Sequence, residues 1–382
     1  MKNGKIILPI MILLIIIILD FVNVHYMDFK NINSVSALKA ALSQVSLSDE
    51  LINISGMTLK TMDSKLYYIE DGVIVTSDNN TINVYPEVNV DFEVEKMKLL
   101  QQELSNAGIN LIYVNAPVKY SDDNYAWEEC GIRSYANQNA DVFVSRLREE
   151  GIDTVDLRES LFTDNDVTLN SFYKGDHHWK IETGFKVAEQ ISEELENKGY
   201  HDMSFSVLDQ EDYFIKDTYN DYFLGEQAEK VSSAYIGKDD ISVIYPAFDI
   251  EYSYTMNGKQ WDGTFNDMFD YYSIYEGGYI RYYMYLGANV NNLAIHNNYL
   301  NNGKVAILGD SLTNAVAPFL SVEMEEVQVY NPRVILNEGK SIIDELVNSG
   351  CDTVIILYSE AVLGGHENME SANAPMFLFD YY

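Results

Sequence analysis

The sequence predicts an α/β fold built on a mostly parallel sheet. Two observations carry that prediction. Short apolar runs alternate with stretches of helical periodicity up to about residue 200, and the same rhythm returns after about residue 300. Helices alternating with buried strands are the pattern of a sheet covered on both faces. With 382 residues, 47% of them hydrophobic and 13% aromatic, the chain has material for one large domain or for a main domain with a sizeable insertion.

Taken in order, residues 57–85 read as short strands. Residues 66–69, the turn Glu70-Asp71-Gly72 and residues 73–75 form a hairpin signal. Helical period begins near Val90, runs through Met97, Leu99, Leu100 and Leu104, and stops at Asn106-Ala107-Gly108. A strand over 109–114 follows at once and ends in Asn115-Ala116-Pro117. A helix over 140–150, stopped by Gly151, leads to a strand over 154–157, and a third helix covers 180–198. Residues 203–300 break the rhythm. Tyr252, Tyr254, Tyr271, Tyr272, Tyr275, Tyr279, Tyr282, Tyr283 and Tyr285 crowd there without a long helical period, so a β or irregular insertion is expected. Such tyrosines either pack on half-buried strand surfaces or stack on sugar rings. The α/β rhythm resumes with a strand at 305–308, a helix at 314–320, a strand at 326–330, a helix at 341–348 and a strand at 353–358. Residues 364–382 read as a loose or capping tail.

The 59 acidic residues outnumber the 25 basic ones, for a net charge of -34. A surface of that sign repels nucleic acid and anionic lipid, which excludes nucleic-acid binding as a function. Residues 1–30 differ in kind. Lys2 and Lys5 precede an aliphatic run over 6–19, interrupted only by Pro9 and ended by Asp20. A charged start before an apolar run is the form of a secretory signal. No A-x-A-like site closes the run, and Val35-Ser36-Ala37 lies well beyond it, so an uncleaved N-terminal membrane anchor is expected. Charge placement puts the body outside the cytoplasm, or secreted if the segment is cleaved. Residues 31–56 then form a stalk or lead-in, and 57–382 a globular domain with its insertion at about 203–300. Cys130 and Cys351 make no C-x-x-C pattern, so no thiolate metal site is read.

Two clusters carry chemistry. Ser311 closes Leu308-Gly309-Asp310-Ser311, where a strand ends and a helix begins, the edge at which open α/β sheets gather ligands. The helix start would aim N–H groups at an oxyanion. The plainer reading is that Asp310 or Ser311 caps that helix. Upstream lies Gly175-Asp176-His177-His178-Trp179. In an extended segment Asp176 and His178 share one face and His177 takes the other, giving an orienting carboxylate and a general base. The competing readings are Asp176 as cap of the helix at 180, histidines packed beside Trp179, and a metal held by Asp176 and a histidine.

Asp-His-His-Trp followed far downstream by Gly-Asp-Ser resembles the DHHW family, related to the SGNH hydrolase-like domains of alginate O-acetylation proteins. Residues 112–119 (IYVNAPVK), Phe223-Leu224-Gly225 before Asp239-Asp240, and Asn331-Pro332-Arg333 share that texture, so the likeness spans about 66–360. It implies an SGNH-like three-layer α/β/α sandwich, with Ser311 as nucleophile, His178 as base and Asp176 as its partner. Arg333 and Asp310 would sit on the substrate or oxyanion side. The motif order is inverted relative to ordinary SGNH hydrolases, and the spacing is D-x-H. No G-x-N-D block stands out for further oxyanion donors, since Asn266-Asp267 lies in the insertion. The function implied is extracytoplasmic, serine-dependent acyl transfer or ester hydrolysis on a surface or exported polysaccharide. The alternatives are a catalytically inactive glycan-binding or scaffold protein and a metal-dependent hydrolase. The partners expected are an acylated glycan, the membrane through the N-terminal segment, and a membrane-bound acyl-donor protein. No cofactor and no metal are expected.

Overall fold

The computed structural model describes residues 53–54, 56–57, 60, 73–201, 206–269, 282–287, 290–368 and 370–380. The expected anchor and nearly all of the lead-in lie outside the described residues. Among the described residues no helix is long and apolar enough to cross a membrane.

The first strand of the expected hairpin, 66–69, also lies outside them. Within them β1 (Val73–Val75) turns back instead onto β2 (Thr81–Asn83), antiparallel, with Val73 opposite Asn83. Helix α1 (Asp91–Asn106) buries Val94, Met97, Leu100 and Leu104 at three- and four-residue spacing. Then come β3 (Asn110–Ala116), α2 (Asp123–Cys130), α3 (Ala136–Glu149), β4 (Asp153–Asp156), α4 (Asn165–Ser171) and α5 (Ile181–Asn197). Helices α2 and α4 do not show in the sequence pattern. Each is short, and the Asp122 and Asp164 side chains cap their first turns.

The tyrosine-rich section contributes β5 (Phe214–Phe223), α6 (Glu226–Val231), α7 (Ser233–Ile236), β6 (Asp239–Pro246), β7 (Glu251–Met256), β8 (Lys259–Thr264) and β9 (Leu293–Asn297). Strands β5 and β6 pair with each other, whereas β7, β8 and β9 join the main sheet. Tyr252 and Tyr254 are buried there, so packing accounts for both. Tyr271, Tyr272, Tyr275 and Tyr279 lie outside the described residues.

The chain then returns through β10 (Lys304–Gly309), a 3-10 turn (Ser311–Ala315), α8 (Ala317–Leu320), β11 (Glu326–Tyr330), α9 (Pro332–Asn337), α10 (Ile342–Val347) and β12 (Thr353–Ser359). The eight-stranded sheet runs β4-β3-β12-β10-β11-β9-β7-β8. Its first five strands are parallel, and β9, β7 and β8 are antiparallel.

Alternation along the parallel strands builds two cores. Ile112, Val305, Ile307, Ile355 and Leu357 face α5, with its Val187, Ile191 and Leu195. Tyr113, Ala306, Leu308, Val354 and Ile356 face α1, α3 and α10. The result is an α/β/α sandwich with mostly parallel strands. The C-terminal residues are a cap rather than a loose end, because Met376, Phe377 and Phe379 are buried in the second core.

Candidate active site

Ser311 follows β10, whose neighbours β11 and β12 run parallel to it on either side. The single helix expected over 314–320 is broken. A 3-10 turn takes Ser311–Ala315 and α8 starts only at Ala317, with Pro318 in its first turn. Asn314 explains part of the break, since its amide donates to the carbonyls of Gly287 at 2.7 Å and Tyr285 at 3.3 Å. Those long-range bonds outweigh local helical preference.

Asp310 takes the capping role. Its carboxylate accepts from Leu312 N at 2.9 Å and Ser359 N at 2.8 Å. Ser311 is thereby left with its hydroxyl uncommitted to a cap. Both Asp310 oxygens already accept N–H groups, so its expected place on the oxyanion side becomes a supporting one. It holds the serine turn against the end of β12.

Asp176 and His178 reach the serine from the other motif. The segment is a tight loop rather than the extended stretch expected. An isolated bridge between Phe172 and Trp179 closes it, and Tyr173 N donates to His178 O at 3.2 Å. The exposure pattern is nonetheless that of opposite faces, with His178 and Asp176 buried and the His177 side chain 46% exposed. Asp176 does not cap α5, whose N-cap Lys180 has no side-chain cap bond.

His178 Nε2 lies 2.7 Å from Ser311 Oγ, and His178 Nδ1 lies 2.7 Å from Asp176 Oδ1. Asp176 Oδ1 also accepts from His178 N at 3.1 Å, and Oδ2 from Glu226 N at 2.9 Å. Burial works to raise the Asp176 carboxyl. The charge and hydrogen bond of His178, the charge of His177 and the Glu226 N–H outweigh it and hold Asp176 well below the usual carboxylate range. An ionised Asp176 fixes the tautomer with the proton on Nδ1, which leaves Nε2 to accept from the serine hydroxyl. Tyr282 stacks on the imidazole, its centroid 4.0 Å away and its plane 16° off, and Tyr283 stands edge-on at 5.6 Å.

Two glycines bring these parts together. A Cβ on Gly184 would stand 2.3 Å from Ala315 O, so its absence lets α5 lie directly on the serine turn. A Cβ on Gly225 would stand 2.3 Å from Gly175 O, and that close approach lets Glu226 N reach Asp176.

The relay opens into a cleft of about 350 Å³ lined by Tyr283, Ser311, Asn331, Arg333 and Asn373 among others. A neighbouring lobe of about 310 Å³ shares Ser311 and Arg333 and extends past Tyr85, Gln227 and Ser359. Arg333 therefore borders both lobes. Its guanidinium is held by Ala372 O at 2.6 Å and Asn373 Oδ1 at 3.1 Å, contacts supplied by the C-terminal cap. Asn331 Oδ1 accepts from Arg333 N at 3.0 Å, which leaves the Asn331 NH2 outside that bond. The Ser311 N–H opens the 3-10 turn and has no acceptor inside it. Ser311 and Asn331 both line the cleft, which makes these two groups candidate oxyanion donors that no G-x-N-D spacing announced. The signal for Asn331 was its place directly after a strand next to β10.

Ligand atoms of Asp176, His177 and His178 lie within 4.8 Å of one another, close enough to hold a metal ion. Both His178 nitrogens and Asp176 Oδ1 are already engaged in the relay, and Oδ2 accepts from Glu226 N, so this set fits proton transfer better than metal ligation. Cys130 and Cys351 are both free.

Residues 76–229 match the family model of the SGNH hydrolase-like domain of acetyltransferase AlgX. The chain has an SGNH hydrolase-like fold. The match includes the Asp176-His177-His178 cluster and ends before Ser311. Among solved structures, Bacillus cereus PatB1 aligns with a TM-score of 0.63 at 15% identity, covering 81% of this chain and 100% of that one. A second PatB1 structure, carrying a sulfonyl adduct, aligns at 0.62 and 16% identity, covering 80% and 98%. A DHHW family protein from Eubacterium siraeum aligns at 0.58 and 14% identity, covering 81% and 95%. These likenesses concern the fold, and they agree with the DHHW and SGNH resemblance read from the motifs. No curated protein matches the sequence.

Proposed function

We propose that this protein is an exported, membrane-anchored serine acyltransferase or esterase acting on an acetyl-type group of a surface or exported polysaccharide. The observation that carries the reading is the Asp176–His178–Ser311 relay, with both side-chain hydrogen bonds at 2.7 Å. Ser311 Oγ attacks the acyl carbonyl and gives its proton to His178 Nε2, while Asp176 stabilises the imidazolium. The Ser311 N–H and the Asn331 amide receive the negative oxygen. His178 then returns the proton to the departing alkoxide, leaving an acyl-serine. A sugar hydroxyl or water resolves that ester, which separates transferase from esterase. The similarity of residues 76–229 to an acetyltransferase domain supports acetyl as the group moved. The export reading rests on Lys2, Lys5 and the apolar run over 6–19.

A sulfonyl fluoride tests the site, since the similar PatB1 has been captured with a sulfonyl adduct. The intact mass of the protein should gain one sulfonyl group, and p-nitrophenyl acetate should be hydrolysed. Ser311→Ala should remove the adduct and lower turnover at least about 10³-fold with the fold intact. Equal turnover in Ser311→Ala removes the enzyme reading and leaves a glycan-binding scaffold. Protease treatment of intact cells, which degrades the body only if it lies outside the membrane, tests the export reading.

A further inference from the structure

A second hollow lies on the same edge of the sheet. The chain leaves β3 at Ala116 and enters α2 and the start of α3. Those elements therefore stand at the carboxyl ends of the parallel strands, as does the serine turn after β10. There Asp123, Asn124, Trp127, Arg133, Ser134 and Gln138 line an open cavity of about 500 Å³. Trp127 is 58% exposed, whereas Trp179 is fully buried in the core.

A large aromatic held in a concavity, ringed by a guanidinium, two amides and a carboxylate, is matched to a pyranose. The ring's C–H face lies on the indole, and its hydroxyls meet the planar polar groups. Nearness to the cleft supports that occupant. Tyr85 N donates to Ser134 Oγ at 3.1 Å, and Tyr135 N donates to Tyr85 O at 3.0 Å. Ser134 lines this cavity and Tyr85 lines the serine lobe, so the two cavities lie on either side of the hydrogen-bonded residues 85 and 134–135.

Charge narrows the glycan further. Arg133 and Asp123 both line the distal cavity, and Arg333, Glu226 and Asp310 line the serine lobe, so neither cavity is lined by cations alone. The whole chain carries a net charge of -34. A polyuronate, with one carboxylate per sugar, would be repelled.

We propose that the Trp127 cavity is a distal saccharide subsite that holds a neutral glycan chain running out of the Ser311 cleft. The proposal rests on reading that cleft as an acyl-transfer site, but its test needs no turnover. Calorimetric titration of the Ser311→Ala protein with cellohexaose, chitohexaose and hexamannuronate reads binding alone. At least one neutral hexaose should bind, and hexamannuronate should bind at least tenfold more weakly. Trp127→Ala should weaken the neutral hexaose at least tenfold, and Trp127→Phe should recover part of that loss. Tyr299→Ala, at an aromatic that is 63% exposed outside both cavities, should leave binding unchanged.

Equal affinity in Trp127→Ala, or no binding of either neutral hexaose, overturns the subsite. Preference for hexamannuronate overturns its neutral character. Trp127-dependent binding to phosphatidylcholine vesicles, with none to the hexaoses, assigns the indole to a lipid surface and also overturns the proposal. Failure of sulfonyl labelling in the parent protein strikes the acyl-transfer reading alone.

Discussion

Replacing Lys119 by methionine removes the ammonium that gathers the loop carrying Asp176. Lys119 is 4% exposed, and its Nζ donates to Tyr173 O at 2.5 Å, Lys174 O at 2.6 Å and Asp176 O at 3.3 Å. Burial pulls the Lys119 pKa down to about 7, against the raising pull of Asp239, Asp176 and Asp78. Methionine has a comparable volume and no charge to desolvate, so the cost is confined to the carbonyls left behind. Lys174 O keeps two donors from Thr81, N at 2.8 Å and Oγ1 at 2.9 Å, and Tyr173 O keeps Asp176 N at 3.3 Å. One carbonyl, that of Asp176, loses the donor identified for it, and an orphaned buried acceptor costs about 1–3 kcal/mol. The stability loss in Lys119→Met should therefore be modest. The kinetic loss should be larger, because a displacement of about 1 Å in a catalytic group costs about 10²-fold. Turnover of p-nitrophenyl acetate should fall 10- to 100-fold in kcat, a range set by that same estimate. Its KM should change little.

A double-mutant cycle separates positioning from general damage. If Lys119 acts through Asp176, adding Lys119→Met to Asp176→Asn should cost almost nothing beyond Asp176→Asn alone. Losses that multiply across the two substitutions would refute this assignment, as would a Lys119→Met protein with wild-type kcat.

Two further outcomes are expected. Gly184→Ala should destabilise the protein by about 1–3 kcal/mol in chemical denaturation and slow sulfonyl labelling of Ser311, because the new Cβ meets the Ala315 backbone at 2.3 Å. Normal labelling would show that α5 does not set the serine turn. Glu360 shares the Arg158 guanidinium with Asp156, and burial, with Asp156 adding to it against Arg158, pushes its pKa from 4.5 up to about 8. Between those values the folded chain holds a proton that the unfolded chain has lost, so this group makes stability fall as pH rises, by at most about 1.4 kcal/mol per unit. Glu360→Gln should flatten that part of the denaturation-versus-pH curve, and an unchanged slope would count against the protonated carboxyl.

What the sequence made legible follows from range. Strands β3, β10, β11 and β12 are apolar runs whose neighbours cover both faces, so local composition reveals them within a residue or two. Asp176, His178 and Ser311 were legible because each motif offers residue types with complementary roles, whatever path joins them. The elements that were misread depend on distant partners. The loop at 173–178 bends because an ammonium more than 50 residues upstream collects its carbonyls, and nothing in Gly175-Asp176-His177-His178 announces that. The helix expected at 314 breaks because Asn314 reaches back to residues 285 and 287. Tyr282 reads as one tyrosine among many, and only the fold lays it on the imidazole.

The same dependence on distant partners explains how an inverted motif order still yields a relay. Ser311 arrives from the end of β10, while Asp176 and His178 arrive from the loop before α5, the helix that covers the core face of β10. Helix α5 touches the serine turn at Gly184 and Ala315. It therefore ties the two motifs together through packing rather than through chain order. Asp310 and Gly225 finish the alignment, one by capping the serine turn and the other by letting Glu226 N meet Asp176. What the site requires is that a helix, a cap and a close backbone approach converge at one sheet edge, and any connectivity that delivers those three can carry it.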